Sequence, residues 1–290
     1  MKRVVKRVAA IHDLAGFGRC SLSVIMPILS TMGIQACAVP TAILSTHTGG
    51  YKDFTFVDLT DTLDSYFSHW VNEGFDFDCI YTGFLGSEKQ IAVISSYFDK
   101  LITKNGLIVI DPVMADGGQL YQSFDYNMVN KMRKFISYAD IITPNLTEAS
   151  LLLDEDYNTK LDDEKLKNWL IRLSDLGPEK VIITSVPDNK KSDYLNVVAY
   201  DKKDNRFWKL SSMRMDADYP GTGDAFTSVL VGSLINGDSL PIALDRSVQF
   251  IISAIRASFG YNYPEREGVL LEKVLGNLNM PVILSNYSQF

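Results

Sequence analysis

The segment Tyr219-Pro220-Gly221-Thr222-Gly223-Asp224-Ala225-Phe226 runs into an apolar stretch, Thr227–Leu234, with the pattern of a helix. Two glycines at a loop-to-helix junction let backbone N–H groups approach a ligand with no side chain in the way. The start of the helix adds partial positive charge, so the junction suits an anion. Asp224 falls in the first turn beside that anion hole. A carboxylate there can accept a proton from a hydroxyl while the amides hold the charge developing on a transferred phosphoryl group. The same residues also suit a plain glycine-rich turn in which Asp224 stabilises the start of the helix, and the motif alone leaves both open.

Other chemistry-bearing residues cluster at the ends of strand-like runs. Asp111-Pro112 follows Leu107–Ile110, and Pro144-Asn145-Leu146-Thr147-Glu148 follows Ala139–Thr143. Asp111 and Glu148 are candidates to hold hydrated Mg²⁺, which keeps several waters and needs only one or two carboxylates. Equally, Asp111 suits a turn before Pro112, and Glu148 a capping arrangement with Asn145. His12-Asp13 closes the first strand-like run, and Ser45-Thr46-His47-Thr48-Gly49-Gly50 closes the second. Both lie where a substrate would be read, since ligands of open α/β sheets bind beyond the carboxyl ends of the strands. The third histidine, His69, sits in an amphipathic stretch beside Trp70 and is expected to be structural or solvated. Gly117-Gly118 suits either the hinge of a flap over the site or a plain surface loop.

The elements that must position these residues alternate. Strand-like runs are Arg7–Ile11, Ala36–Leu44, Cys79–Thr82, Leu107–Ile110, Asp140–Thr143 and Val181–Ser185. Several are poor in polar residues throughout, as in strands buried on both faces of a parallel sheet. Helical patterns occupy Ser21–Met32, Asp58–Glu73, Glu88–Lys104, Tyr126–Tyr138, Thr147–Leu153 and Asp162–Leu176. In the second, Leu59, Leu63, Phe67 and Trp70 form one apolar stripe. Repeated strand–helix–strand units predict a mostly parallel sheet covered by helices on both sides. Val197–Tyr200 and Arg206–Leu210 flank the polar turn Asp201–Asn205 and predict an edge hairpin. Two long helical patterns follow, Asp224–Asn236 and Pro241–Phe259, then a shorter one near Glu267–Leu278.

Composition narrows the function classes. A length of 290 residues would suit two domains of about 150 residues each. With no linker, repeat or low-complexity tract, a single α/β domain over residues 1–290 is the expectation. Lys and Arg total 28 against 35 acidic residues, a net charge of −7 that argues against general nucleic-acid binding. Three scattered cysteines, Cys20, Cys37 and Cys79, make neither a disulfide framework nor a metal site. The basic start Met1–Arg7 is not followed by a sustained apolar run, and no stretch approaches the ~20 apolar residues of a bilayer span. A cytoplasmic protein without membrane contact is therefore expected. Asn145-Leu146-Thr147 and Asn286-Tyr287-Ser288 match the glycosylation sequon, by chance in that compartment. No Gly-Lys dipeptide is present, which excludes a P-loop, and Gly16-Phe17-Gly18-Arg19-Cys20-Ser21 has Ser where a dinucleotide fingerprint needs its third Gly.

Along the chain, Ser45-Thr46-His47-Thr48-Gly49, Tyr81-Thr82-Gly83-Phe84, Asp111-Pro112-Val113-Met114, Ala139 through Ala149, Val181-Ile182-Ile183-Thr184-Ser185 and Gly221-Thr222-Gly223-Asp224 follow one another. In order and spacing this set resembles the ribokinase-like family of small-molecule kinases, and within it the vitamin B6 kinases. The resemblance implies a three-layer α/β/α fold, often a homodimer, that transfers the γ-phosphoryl of ATP to a primary alcohol. It implies Mg²⁺ as cofactor, with K⁺ as a further candidate. By this resemblance Asp224 matches the catalytic base and Gly221, Thr222 and Gly223 the anion hole. Asp111 and Glu148 match positions tied to Mg²⁺ and phosphates, and Asn145, Thr184 and Ser185 match nucleotide-contacting ones. The segment around Thr46 and His47 matches the part that reads the pyridine ring, Phe84 an aromatic lining the pocket, and Asp116–Tyr121 a flap.

The pattern is not complete. A ring-contacting Ser usual near the first strand end is replaced by Ile11 or His12, and Tyr219 stands where small or Cys-bearing residues sometimes precede the catalytic turn. A dissociative phosphoryl-transfer transition state needs no strong base, so an Asp of ordinary pKa would serve. The leading expectation is phosphorylation of the 5′-hydroxymethyl of pyridoxal, pyridoxamine or pyridoxine, with His12, Asp13, Thr46, His47 and Phe84 around the acceptor. Hydroxymethylpyrimidine kinase shares most of these motifs. A sugar kinase is disfavoured by the lack of a lid hairpin, and a catalytically silent binding protein by the intact Gly-Thr-Gly-Asp.

Overall fold

The computed structural model describes residues 4–122, 124–215, 217–281 and 287–290. The first half of the chain forms β1 (Arg7–Phe17), α1 (Leu22–Thr31), β2 (Gln35–Thr46), β3 (Phe56–Asp58), α2 (Thr60–Asn72) and β4 (Phe77–Thr82). It continues through α3 (Glu88–Ser95), α4 (Phe98–Leu101), β5 (Ile102–Ile110), β6 (Ala115–Asp116), β7 (Gln119–Leu120) and α5 (Tyr126–Phe135). The second half adds β8 (Ile141–Ile142), α6 (Leu146–Leu153), α7 (Asp163–Asp175), β9 (Lys180–Pro187), β10 (Tyr194–Asp201) and β11 (Arg206–Met213). It ends with α8 (Thr222–Ile235), α9 (Leu240–Phe259) and β12 (Tyr287–Gln289).

Strands run in the order β12-β11-β10-β9-β8-β5-β4-β1-β2-β3. Six of them, from β9 across to β2, pair in parallel. Period-two alternation divides their side chains between two cores. Ala9, Ile11, Ile80, Val181 and Ile183 meet Leu63 and Phe67 of α2, Ile91 of α3, Met132 of α5 and Trp169 of α7. Val8, Ala10, Tyr81, Val109 and Ile182 meet Ile25 of α1, Leu230 of α8 and Leu244 of α9. Helices thus cover both faces of the sheet, giving the three-layer α/β/α arrangement expected from the sequence. Chain order reverses at β1, flanked by β2 and by β4. That reversal opens a crevice beyond the strands' carboxyl ends.

The expected hairpin is present as β10 and β11, antiparallel on the edge of β9. β12 adds a further strand outside it, and β3 extends the opposite edge antiparallel to β2 with its three residues exposed. Three expectations need correction. The helical pattern Glu88–Lys104 ends early, because Ile102 already pairs with Phe77 of β4; the chain bulges outward and rejoins at Leu107. Sheet pairing there overrides the periodicity. The stretch near Glu267–Leu278 forms only 3₁₀ turns, with Gly268 at a φ of 81°. β1 runs on to Phe17, so His12 and Asp13 lie inside the strand rather than at its end. Of the two sequons, Asn286 lies outside the described residues, and Asn145 is the cap of α6.

Candidate active site

α8 starts at Gly221, whose φ is 80°, and no side chain caps it. Its first amides therefore stay open to a ligand. A β-carbon on Gly221 would lie 2.2 Å from the Arg19 carbonyl oxygen, whereas one on Gly223 would meet nothing within 4 Å. The first glycine is demanded by the fold, and the second faces open space. Asp224, in the first turn of α8, has its side chain 12% exposed. Its Oδ2 accepts the Ser21 N–H at 2.8 Å and the Cys20 thiol at 3.5 Å. Burial pushes its carboxyl above the ordinary range, with the Ser21 N–H and Cys20 thiol pulling the other way.

β1 supplies the wall beside Asp224. His12 Nδ1 lies 3.9 Å from Asp224 Oδ1. Burial drops the His12 pKa to about 3, so the imidazole is neutral and the contact is not an ion pair. The ring sits edge-on to Tyr81, centroids 4.4 Å apart, and a β-carbon on Gly83 would strike it at 2.3 Å. Register slips between His12 and Leu14, where Asp13 alone spans Thr41 and Ala42. Such irregularities re-aim side chains beside functional sites. Here Asp13 accepts the Ser21 hydroxyl at 2.6 Å.

Burial raises the Asp13 pKa from 3.8 to about 6, with the Ser21 hydroxyl opposing and the Asp224 charge adding to it. The fold thus prefers the protonated acid. Its contribution to stability is full below the unfolded-state pKa and is lost as pH rises through about 6. Between pH 4 and 7.5 the urea-unfolding free energy of wild type should fall relative to Asp13→Asn by up to about 3 kcal/mol. A difference that stays flat across this range would contradict the assignment.

On the far side of the crevice, Asp111 ends β5 and Glu148 lies in the first turn of α6; both are buried. Glu148 completes a capping box: its Oε2 accepts the Asn145 N–H at 2.8 Å while Asn145 Oδ1 accepts the Glu148 N–H at 2.9 Å. The capping role open at the sequence level is therefore present. Glu148 Oε1 also accepts the Met114 N–H at 3.1 Å. Thr227 of α8 donates to Asp111 Oδ2 at 3.4 Å, tying this carboxylate to the helix that carries Asp224. Burial, then the Asp224 charge, pushes Asp111 up to about 8. Burial, then the Asp111 charge, pushes Glu148 well above its usual range. Among the described residues, no Lys or Arg forms an ion pair with either. Two mutually repelling buried carboxylates with no protein cation are a donor set that fits a divalent ion. Asn145 bridges to Thr184, whose N–H reaches the Pro144 carbonyl at 2.9 Å, and Ser185 beside it has a φ of 57°.

At the third margin, Thr46 Oγ1 is buried without a hydrogen-bond partner. His47 Nε2 meets the Arg266 carbonyl at 2.6 Å, and its Nδ1 accepts the Gly49 N–H at 3.1 Å. A carbonyl cannot donate, so Nε2 carries the proton and the ring offers a ligand only its carbon edge and face. Phe84 packs on Phe124 at 5.4 Å. β6 and β7 form a small hairpin turned at Gly117 and Gly118, both at positive φ. Asn145 Nδ2 donates to the Ala115 carbonyl at the start of the hairpin at 2.8 Å, and the Gly118 N–H of its turn donates to Thr147 Oγ1 at 3.0 Å.

The structure therefore brings His12, Asp13, Asp224, Asp111, Glu148 and Asn145 to one crevice, with Thr184, Ser185, Thr46, His47 and Phe84 on its margins. Sequence reasoning missed Ser21 and Cys20, and reached Tyr121 only as the end of the Asp116–Tyr121 segment. Tyr121, just after the β6–β7 hairpin, donates its N–H to the Met114 carbonyl at 3.0 Å and is 39% exposed; partial burial, then the nearby carboxylates of Glu148, Asp116 and Asp111, hold its phenol above the usual range. Ser21 carried no signal of its own, because its importance lies in a backbone conformation.

The sheet, its two helical layers and the Gly-Thr-Gly-Asp turn at the crevice define a ribokinase-like α/β protein. The chain belongs to the phosphomethylpyrimidine kinase family, whose model matches residues 27–267. A Bacteroides thetaiotaomicron protein, provisionally assigned as a phosphomethylpyrimidine kinase, is 52% identical with a TM-score of 0.97, covering 100% of this chain and 99% of its own. A second structure of that protein, with pyridoxal, aligns at a TM-score of 0.95 over 99% of this chain and 100% of its own. The pyridoxal kinase of Lactobacillus plantarum is 32% identical with a TM-score of 0.86, covering 95% of this chain and 97% of its own. Human pyridoxal kinase is 27% identical over 237 residues, 76% of this chain and 75% of its own.

Proposed function

We propose that this protein is an ATP-dependent vitamin B6 kinase, a single ribokinase-like domain that phosphorylates the 5′-hydroxymethyl of pyridoxal, pyridoxamine or pyridoxine. The observation that carries the chemistry is a largely buried carboxylate, Asp224, in the first turn of a helix that no side chain caps and that has open space beside Gly223. The acceptor class is supported by the 52%-identical relative whose structure holds pyridoxal and by the 32%-identical pyridoxal kinase.

In this reading Asp224 takes the proton of the acceptor hydroxyl, and the amides of Gly221, Thr222 and Gly223 stabilise charge on the transferred group. Asn145, Thr184 and Ser185 hold the nucleotide. Thr46 offers its unpartnered hydroxyl to the acceptor, while His47, Phe84 and His12 enclose it. Asp111 and Glu148 would hold Mg²⁺, directly or through its waters, and the ion would offset phosphate charge that this acidic crevice cannot. The Asp116–Tyr121 segment excludes water over the transfer. A cytoplasmic homodimer is the form proposed; among the described residues, no helix is long and apolar enough to cross a membrane.

ATP turnover measured with pyridoxal, pyridoxamine, pyridoxine, hydroxymethylpyrimidine and ribose tests the reading. The highest kcat/KM should fall on a B6 vitamer; chelation should abolish turnover and added Mg²⁺ restore it. The same assay in Na⁺ or K⁺ salts reads out any monovalent-cation requirement. The family match favours one second reading, hydroxymethylpyrimidine phosphorylation, and a preference for that acceptor would replace the first. No turnover with any acceptor would sink both.

A further inference from the structure

We infer that Asp13 and Ser21 form a clamp that aims the Asp224 carboxylate; the inference rests on Asp224 acting as the base. Ser21 sits at a φ of 53° and a ψ of −132°. A residue with a β-carbon is strained there and persists only where its surroundings hold it. Five residues hold Ser21. Its hydroxyl donates to Asp13 Oδ1 at 2.6 Å, and its N–H donates to Asp224 Oδ2 at 2.8 Å. Its carbonyl accepts the N–H groups of Val24 and Ile25 at 2.9 and 3.0 Å, and it bridges to Leu14 of β1.

The direction of each bond assigns the roles. In this backbone conformation the Ser21 N–H points at the Asp224 carboxylate, and the hydroxyl bond to Asp13 is the short side-chain contact that opposes its relaxation. Asp13 is itself fixed at the β1 register slip and buried, 5% exposed like Ser21. It is thus a positioning residue two hydrogen bonds removed from the Asp224 carboxylate, with its Oδ1 already given to Ser21. The fold keeps a second buried acid beside Asp224 despite their mutual repulsion. That juxtaposition makes sense if the acid is used.

Glycine adopts the strained conformation freely, which gives a test that separates holding from contact. Ser21→Ala removes the clamp but keeps the strain, so kcat should fall by about 10²-fold from misplacement of the base, with KM for both substrates near wild type. Ser21→Gly also lacks the hydroxyl but needs no clamp, and should recover most of that loss. Asp13→Asn still presents an oxygen to Ser21 and should lose less than Asp13→Ala. A Ser21→Gly enzyme as slow as Ser21→Ala, a Ser21→Ala enzyme with unaltered kcat, or a loss confined to KM would overturn the clamp. Wild-type turnover of a B6 vitamer tests the proposed function separately. Should wild type prefer another acceptor, the same ordering is measured with that acceptor. Should it have none, the crystal structure of Ser21→Ala decides: a relaxed residue 21 and a displaced Asp224 support the clamp, and an unchanged pair overturns it.

Discussion

Asp224→Asn should lower kcat by about 10²- to 10⁴-fold, the usual worth of one general base, while KM for ATP stays near wild type. The amide keeps an oxygen to accept the Ser21 N–H, so the start of α8 is undisturbed and only the proton acceptor is lost. Stability should move the other way. Burial raises the Asp224 pKa, so its charge costs the fold free energy above that pKa. The neutral variant is then at least as stable as wild type at pH 8, by thermal unfolding. In wild type the same shift predicts that kcat falls on the acid side as Asp224 takes up a proton. Full turnover in Asp224→Asn would remove Asp224 from the reaction.

Gly221→Ala should be nearly as damaging, by a different route. The backbone stands at a φ of 80°, and the new β-carbon would lie 2.2 Å from the Arg19 carbonyl oxygen, a backbone atom with no rotamer to escape into. The turn must shift, costing on the order of 1–3 kcal/mol of stability and about 10²- to 10³-fold in kcat as the donors leave their positions. Gly223→Ala is the companion. Its β-carbon meets no protein atom within 4 Å, so its melting temperature should stay at wild type. Its activity should nevertheless fall, because the methyl group enters space assigned to the phosphoryl group. Equal melting temperatures and equal activities in both variants would contradict the anion-hole assignment.

How far the sequence foretold this site follows from the range of each interaction. Gly221–Asp224 was legible because turn, helix start and carboxylate are contiguous. The Asn145–Glu148 capping box was legible for the same reason. The parallel sheet could be read from apolar runs such as Val181–Ile183, although Glu88–Lys104 misled: its helical periodicity continues into residues that pair with β4. The polar pair His12-Asp13 reads as a strand end in the sequence. Only pairing with β2 and β4 shows that β1 carries them inside. Nothing local marks Ser21. Ser21 matters through a dihedral angle set by contacts with Asp13, eight residues earlier, and Asp224, 203 residues later. Likewise, the tautomer of His47 is fixed by the carbonyl of Arg266, 219 residues away. The raised pKa of Asp224 comes from burial, which a motif does not report.

The central claim is that the Asp224 crevice moves the γ-phosphoryl of ATP onto the 5′-hydroxymethyl of a B6 vitamer. Incubation with ATP labelled at the γ-phosphorus and pyridoxal, with separation of the labelled products, tests it most directly. Wild type should place the label on pyridoxal 5′-phosphate, and Asp224→Asn should leave it on ATP over the same interval. Label appearing only as inorganic phosphate, or reaching pyridoxal equally fast in Asp224→Asn, would contradict the account.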